Sequence, residues 1–165
     1  MVKGIKQVFY GQGKGKTSAA VGQCIRSAGQ GQSVIIIQFL KGSDAEELQY
    51  LSQFEPDIKL FRFEREYDVY DDLPASKKKE ERENILNGIN YVKKVINSGE
   101  CDVLVLDEIF GLVEHGIFST EELIELLKMD GDYKRLILTG CVMPEEIRDY
   151  VDIISKIELE KDNTV

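Results

Sequence analysis

Tryptophan is absent, histidine occurs once (His115), and cysteine only three times in 165 residues. Cys24, Cys101 and Cys141 are odd in number, widely spaced and without a CxxC pair. With a single histidine beside them, they argue against a disulfide framework and against a cysteine/histidine zinc site. No apolar run reaches the length of about 18 residues that a membrane-crossing helix needs, and no signal-peptide pattern opens the chain. A soluble, cytoplasmic protein with no membrane partner is therefore the expectation. Positive charge is also scarce: 21 Lys and Arg stand against 30 Asp and Glu, a formal net charge of -9. A general nucleic-acid binder needs a basic surface to replace counterions, so nucleic acid is not expected as a partner. The acidity reads as solubility. A small anion can still bind where a few cations and backbone N–H groups converge.

What is present alternates between strand and helix signals. "KQVFY" (6–10) reads as a buried strand running into a glycine loop. From Thr17 onward, Val21, Cys24, Ile25 and Ala28 fall at i, i+3, i+4 and i+7, one face of a helix stopped by Gly29. "SVIIIQFL" (33–40), "IKLFRFE" (58–64), "CDVLVLDE" (101–108), "KRLILTG" (134–140) and "DIISKIELE" (152–160) predict five more strands. Ser43 with Glu46 predicts a capping box opening the helix "DAEELQYLSQF", and Ser119 with Glu122 caps a helix ending near Met129. Ile85, Leu86, Ile89, Val92 and Ile96 mark the buried face of a long helix over about 75–98, and Pro144 sits in the first turn of a short one. "REYDVYDDLPASKKK" has no period and reads as a surface loop. Strands alternating with helices predict a parallel sheet covered on both faces. No repeat or long linker divides residues 1–165, so one domain is expected.

Open parallel sheets bind ligands beyond the carboxyl ends of their strands, and the glycine loop stands there. "VFYGQGKGKTSAAVG" (8–22) departs by one residue from the phosphate-loop pattern G-x-x-x-x-G-K-[ST]. Counting back from Gly15-Lys16-Thr17, the first glycine belongs at position 10, where Tyr10 stands; Gly11 follows one step later. Strand, loop, lysine, hydroxyl and helix in this order point to phosphate held at a helix N-terminus. Gly11, Gly13 and Gly15 let the backbone wrap around an anion, Lys16 reaches phosphate oxygens, and Thr17 offers a hydroxyl to Mg2+. The expected fold is therefore α/β: a P-loop NTPase-like three-layer sandwich with a mostly parallel sheet of about six strands.

Asp107 and Glu108 close the apolar run "VLVLDE" at the same sheet edge, where burying them unpaired would be unfavourable. Either carboxylate can serve Mg2+, directly or through water, and the sequence leaves open which one does. Lys41 in "QFLKG" follows the second strand and points to the same edge. Phe61, Phe63, Tyr67 and Tyr70 can line a large planar ligand, although Phe61 and Phe63 share a strand face and suit a core. His115 has no catalytic partner types near it in sequence and reads as a helix-end or surface residue.

"GQGKGKTSAA", "QFLKG", "VLDEI" and "LTG", in that order, resemble the P-loop class of ATP:corrinoid adenosyltransferases that act on cob(I)alamin. The resemblance runs through about residues 6 to 152. It implies that the short loop holds ATP in reverse, with the γ-phosphate where the α-phosphate ordinarily lies. The 5′ carbon of the ribose then faces outward, open to attack by cobalt(I), with triphosphate as leaving group. By resemblance, Gly11, Gln12, Gly13, Lys14, Gly15, Lys16, Thr17 and Ser18 hold the triphosphate, with Lys41 nearby. Lys16 and Glu108 take catalytic roles, and Thr17, Asp107 and Glu108 serve Mg2+. The family's Phe-Thr-Trp element after the third strand has no tryptophan here, and its Thr-Gly-Arg reads Thr139-Gly140-Cys141. A homodimer and a reducing flavoprotein are the partners that the resemblance admits, besides ATP and a reduced corrinoid. Some relatives carry an N-terminal segment over the nucleotide and a glycine-containing tail, neither of which is expected here. Two other readings stay open: a P-loop NTPase or small-molecule kinase, and a catalytically silent nucleotide- or corrinoid-binding protein.

Overall fold

A computed structural model describes residues 3–40, 50–65 and 69–164. Six strands are hydrogen-bonded into one sheet: β1 (Ile5–Tyr10), β2 (Val34–Gln38), β3 (Ile58–Arg62), β4 (Val103–Asp107), β5 (Arg135–Gly140) and β6 (Ile153–Lys156). Their spatial order is β3-β2-β4-β5-β1-β6, and every pairing is parallel. All six carboxyl ends therefore lie on one edge.

Residue alternation along each strand feeds two cores. Ile35, Ile37, Leu104, Leu106, Leu136 and Leu138 face one side. There they meet α2 (Ala75–Ser98), α3 (Ile109–Glu114) and α4 (Thr120–Lys128). Val34, Ile36, Val103, Val105 and Ile137 face the other side, with Ala20 and Cys24 of α1 (Lys16–Gly29). Helices on both faces explain why β2 and β4 are buried at every position and read as unbroken apolar runs. The three-layer α/β arrangement matches the expectation from sequence.

Local predictions fared unevenly. The α2 bounds agree with the periodicity, and Ser119–Glu122 forms the reciprocal capping box at the start of α4. Leu86, expected on the buried face of α2, is exposed, and Val95 is buried there instead. On α1 the buried residues are Lys16, Ala20, Cys24 and Ser27, whereas Ile25 is exposed. The polar Lys16 and Ser27 hid the true stripe, so the apolar count selected a face rotated toward solvent. Pro144 precedes a 3-10 helix, Glu145–Tyr150, rather than opening an α-helix. The six-residue α3 was not foreseen; it is too short to show a period. The capping box read at Ser43 and Glu46 lies outside the described residues, and the described chain resumes in a 3-10 helix, Tyr50–Phe54. Among the described residues no helix is long and apolar enough to cross a membrane.

Candidate nucleotide site

Residues 11–15 link β1 to α1 at the carboxyl edge. The loop needs two glycines for backbone reasons. Gly11 has φ +133° and Gly15, the N-cap residue of α1, φ +108°, both outside the range that side chains tolerate well. Gly11 has a second constraint. The segment leaving β6 crosses beneath it: the Ile157 N–H donates to the Tyr10 carbonyl at 2.7 Å, and the Gly13 N–H to the Ile157 carbonyl at 3.4 Å. A Cβ at Gly11 would lie 2.1 Å from the Ile157 oxygen, and one at Gly13 3.0 Å from the Leu159 nitrogen. Among the described residues, chain neighbours aside, a Cβ at Gly15 would meet nothing within 4 Å. At Gly11 and Gly13 the chain's own C-terminal segment makes one close approach to the loop backbone.

Among the described residues no side chain caps α1, and no acidic residue stands in its first turn. Its leading N–H groups and positive dipole end are therefore presented to an anion at the loop. Lys16 folds over the loop, donating from Nζ to the Gly13 carbonyl at 2.9 Å, and is only 8% exposed. A phosphate oxygen in the loop would compete for that ammonium.

Asp107, at the end of β4, is the centre of a buried polar cluster and is 1% exposed. Its Oδ1 accepts from Thr17 Oγ1 at 2.9 Å and from Thr139 Oγ1 at 2.7 Å. Its Oδ2 accepts from Gln38 Nε2 at 3.0 Å. Thr139 in turn accepts from the Glu108 N–H at 2.9 Å, which orients its hydroxyl proton toward Asp107. Thr17 likewise spends its proton on the carboxylate, leaving oxygen lone pairs for a cation. Burial of Cys24 pushes its thiol up to about 12, with the Asp107 charge adding to the effect. That sulfur is a packing atom, not a nucleophile.

Glu108 takes another direction. It has φ +62°, half-buried, and its Oε2 lies 3.8 Å from where a Gly111 Cβ would stand, over the start of α3. Asp107, then, meets the loop hydroxyl, and Glu108 turns toward α3. Gln38 and Thr139 are the members of this cluster to which the sequence motifs "QFLKG" and "LTG" assigned no role. Each is a polar residue closing an apolar strand, "VIIIQ" and "LILTG", the same signal that exposed Asp107 after "VLVL".

The remaining candidates scatter. Gln12 and Ser18 are exposed, and Lys14 Nζ stands 3.5 Å from Asp162 of the C-terminal segment. Lys41 and Tyr67 lie outside the described residues. Phe61 and Phe63 are half-buried and pack on Tyr91 of α2, with ring centroids 5.1 and 5.5 Å apart. His115 caps α3: Nδ1 donates to the Gly111 carbonyl at 2.7 Å, and Nε2 meets Asp71 at 3.0 Å beside the edge of Tyr70. This is the helix-end role expected for it.

A parallel sheet with this strand order, a glycine turn leading from its first strand to a helix, and an acidic strand end beside that turn define a P-loop NTPase-like domain. Within that class, residues 2–164 match the model of the ATP:corrinoid adenosyltransferase BtuR/CobO/CobP family, and the chain belongs to it. It is 28% identical over 155 residues to the corrinoid adenosyltransferase CobA of Salmonella typhimurium, covering 94% of this chain and 76% of the relative. The corrinoid adenosyltransferase of Escherichia coli K12 is 26% identical with the same coverage. That of Sinorhizobium sp. is 25% identical over 168 residues, 96% and 74% of the two chains.

Proposed function

We propose that this chain transfers the 5′-deoxyadenosyl group of ATP to the cobalt(I) of a reduced corrinoid and releases triphosphate. The observation that carries the reading is the shortened loop, with Lys16 folded into it and Thr17 on Asp107, in a chain of this family. The cobalt electron pair forms the Co–C5′ bond as the C5′–O bond breaks, and the bonding pair leaves on the triphosphate. No proton transfer is needed. What the site contributes is charge and alignment.

Lys16 places an ammonium against the leaving oxygens. The loop N–H groups and the uncapped end of α1 add fixed positive potential. Gly11 to Ser18 form the cradle of this proposal, with Lys41 a further cation beside it. Among the described residues no three His, Cys, Asp or Glu side chains gather to hold a metal alone. The Thr17 hydroxyl and the Asp107 carboxylate are hard oxygen donors that suit Mg2+, which is commonly held by one or two carboxylates together with substrate phosphates and water. Bound there, Mg2+ supplies positive charge to the triphosphate. Thr17 is the proposed direct ligand, Asp107 its hydrogen-bonded neighbour, and Glu108 a more distant carboxylate of the same edge.

Phe61 lies in β3 and Phe63 just beyond its end, at the carboxyl edge of the sheet. Both rings remain partly exposed, and they are the proposed apolar platform for the corrinoid in this tryptophan-free chain. A cytoplasmic location, a homodimer and a reducing flavoprotein that supplies cobalt(I) complete the proposal. The test supplies ATP, Mg2+ and cob(I)alamin anaerobically and separates the products. Adenosylcobalamin and inorganic triphosphate in equal amounts are expected; ADP with phosphate, and no alkylated corrinoid, overturns the reading.

A further inference from the structure

Gln38 presents a contradiction. It ends β2, is 0% exposed, and carries a polar amide where one more aliphatic residue would extend the run Val34–Ile37. Half of that amide is accounted for: Nε2 donates to Asp107 Oδ2 at 3.0 Å. The other half is not. Oε1 is buried and meets no hydrogen-bond partner among the described residues. Reversing the amide would set its carbonyl against a carboxylate oxygen, two acceptors face to face, so the orientation is fixed by chemistry. The oxygen of a primary amide lies about 2.3 Å from its nitrogen, as its bond lengths dictate. Oε1 is therefore held within about 5.3 Å of Asp107 Oδ2, the sum of that span and the 3.0 Å hydrogen bond.

Buried acceptors are almost always satisfied, and one without a protein partner is commonly met by ordered water. A water at this place stands beside the carboxylate that holds Thr17, the hydroxyl offered to the metal. Resting on the nucleotide reading above, we infer that Gln38 is a positioning residue for the metal–triphosphate site. Nε2 fixes the rotamer of Asp107, and Oε1 accepts a hydrogen bond from a water that also touches the metal or a phosphate oxygen. The amide thereby ties two consecutive elements of the site, the acidic strand end and the hydration shell, to the rigid centre of the sheet. Residues that orient a metal ligand from behind typically change metal affinity about 10–100-fold when replaced.

Two measurements test this, neither of them turnover. In Q38M, similar in volume but without either polar atom, the Mg2+ concentration that half-saturates the ATP complex should rise about tenfold or more. The affinity for ATP without metal should stay within about twofold, because the amide is hydrogen-bonded to Asp107 and to no described loop residue. Equal Mg2+ dependence in folded Q38M and parent protein overturns the inference. A second measurement needs no variant: the parent protein crystallised with Mg2+ and ATP. A water within hydrogen-bond distance of Oε1 and in contact with the metal or a phosphate is expected. A dry Oε1, or a water isolated from both, overturns it even where Q38M does not fold. If no nucleotide occupies the loop, the functional reading fails instead, which separates the two outcomes.

Discussion

Replacing Gly11 and Gly15 in turn by alanine tests what the loop glycines are for. Both have positive φ, so both variants take on the strain of an unfavourable backbone region, about 1–2 kcal/mol. Only Gly11→Ala adds a collision. Its Cβ would sit 2.1 Å from the Ile157 carbonyl oxygen, and ordinary contact begins near 3 Å, so the segment after β6 must retreat by most of an ångström. That retreat breaks the short Ile157 N–H to Tyr10 carbonyl bond that anchors the crossing. Forced displacements of packed groups destabilise by about 1–3 kcal/mol, so Gly11→Ala should lose about 2–5 kcal/mol in all. Gly15→Ala, with open space around it, should lose about 1–2 kcal/mol. For a domain of this size each kcal/mol lowers Tm by about 2–4 °C, giving drops of about 4–20 °C and 2–8 °C respectively, with Gly11→Ala always the lower of the two. Calorimetry of the ligand-free proteins measures both. Ligand-free protein matters, because an anion-wrapping role alone predicts no difference between the two sites until nucleotide is added. If Gly11→Ala melts within a degree or two of Gly15→Ala, the C-terminal segment does not constrain the loop and this reasoning is wrong.

Lys16→Ala should lower kcat by about 100-fold or more, as losing one preorganised charge on a leaving group does, and circular dichroism should show an intact fold; full activity in a folded variant would show that the loop has been misread. His115 gives a pH signature. Partial burial opposes its charge, but the Gly111 carbonyl and the Asp71 carboxylate outweigh that and hold its pKa above 6.5. A raised pKa means the native state binds the proton more tightly, so the stabilisation is complete below about 6.5 and fades as pH rises through the folded value. Tm followed from pH 6 upward should decline more in the parent than in Asp71→Asn, and parallel curves would contradict the pairing.

Much of the architecture was legible because buried parallel strands leave long apolar runs and no ambiguity of face. Every strand was found, with ends displaced by a few residues, and α2 announced itself through Ile85, Ile89, Val92 and Ile96. Helix α1 resisted because function overrides pattern there. Lys16 lies buried on its inner stripe, so a count of apolar residues alone slides to Ile25, which faces water. At the site, Lys16, Thr17 and Asp107 stood out as departures from local rules, and the structure brings Thr17 and Asp107 together. Gln38 and Thr139 entered as letters of "QFLKG" and "LTG" and received no role, because one polar residue at a strand end is common. Only the strand order shows that these two ends flank Asp107.

That strand order also explains why the cluster needs so many members. The loop follows β1 and the acidic end follows β4, but β5 lies between them, so the two are separated by two strand spacings, about 9–10 Å. A threonine side chain on β1 could not span that gap. Thr17 succeeds because it sits in the first turn of α1, which crosses the sheet and contacts both β4 and β5. Thr139, on the intervening strand and in register with Phe9 of β1, fills the space beneath and donates to the same oxygen, Asp107 Oδ1. On the far side, Gln38 is paired in register with Asp107 itself and holds the other oxygen. The ends of the two neighbouring strands thus fix one carboxylate from two sides while the helix brings the loop hydroxyl to it. An aliphatic residue at position 139 would leave the Glu108 N–H without its acceptor and Asp107 with a lone pair facing hydrocarbon. The two polar strand ends are therefore as much a part of the site as the glycine loop that first drew attention to it.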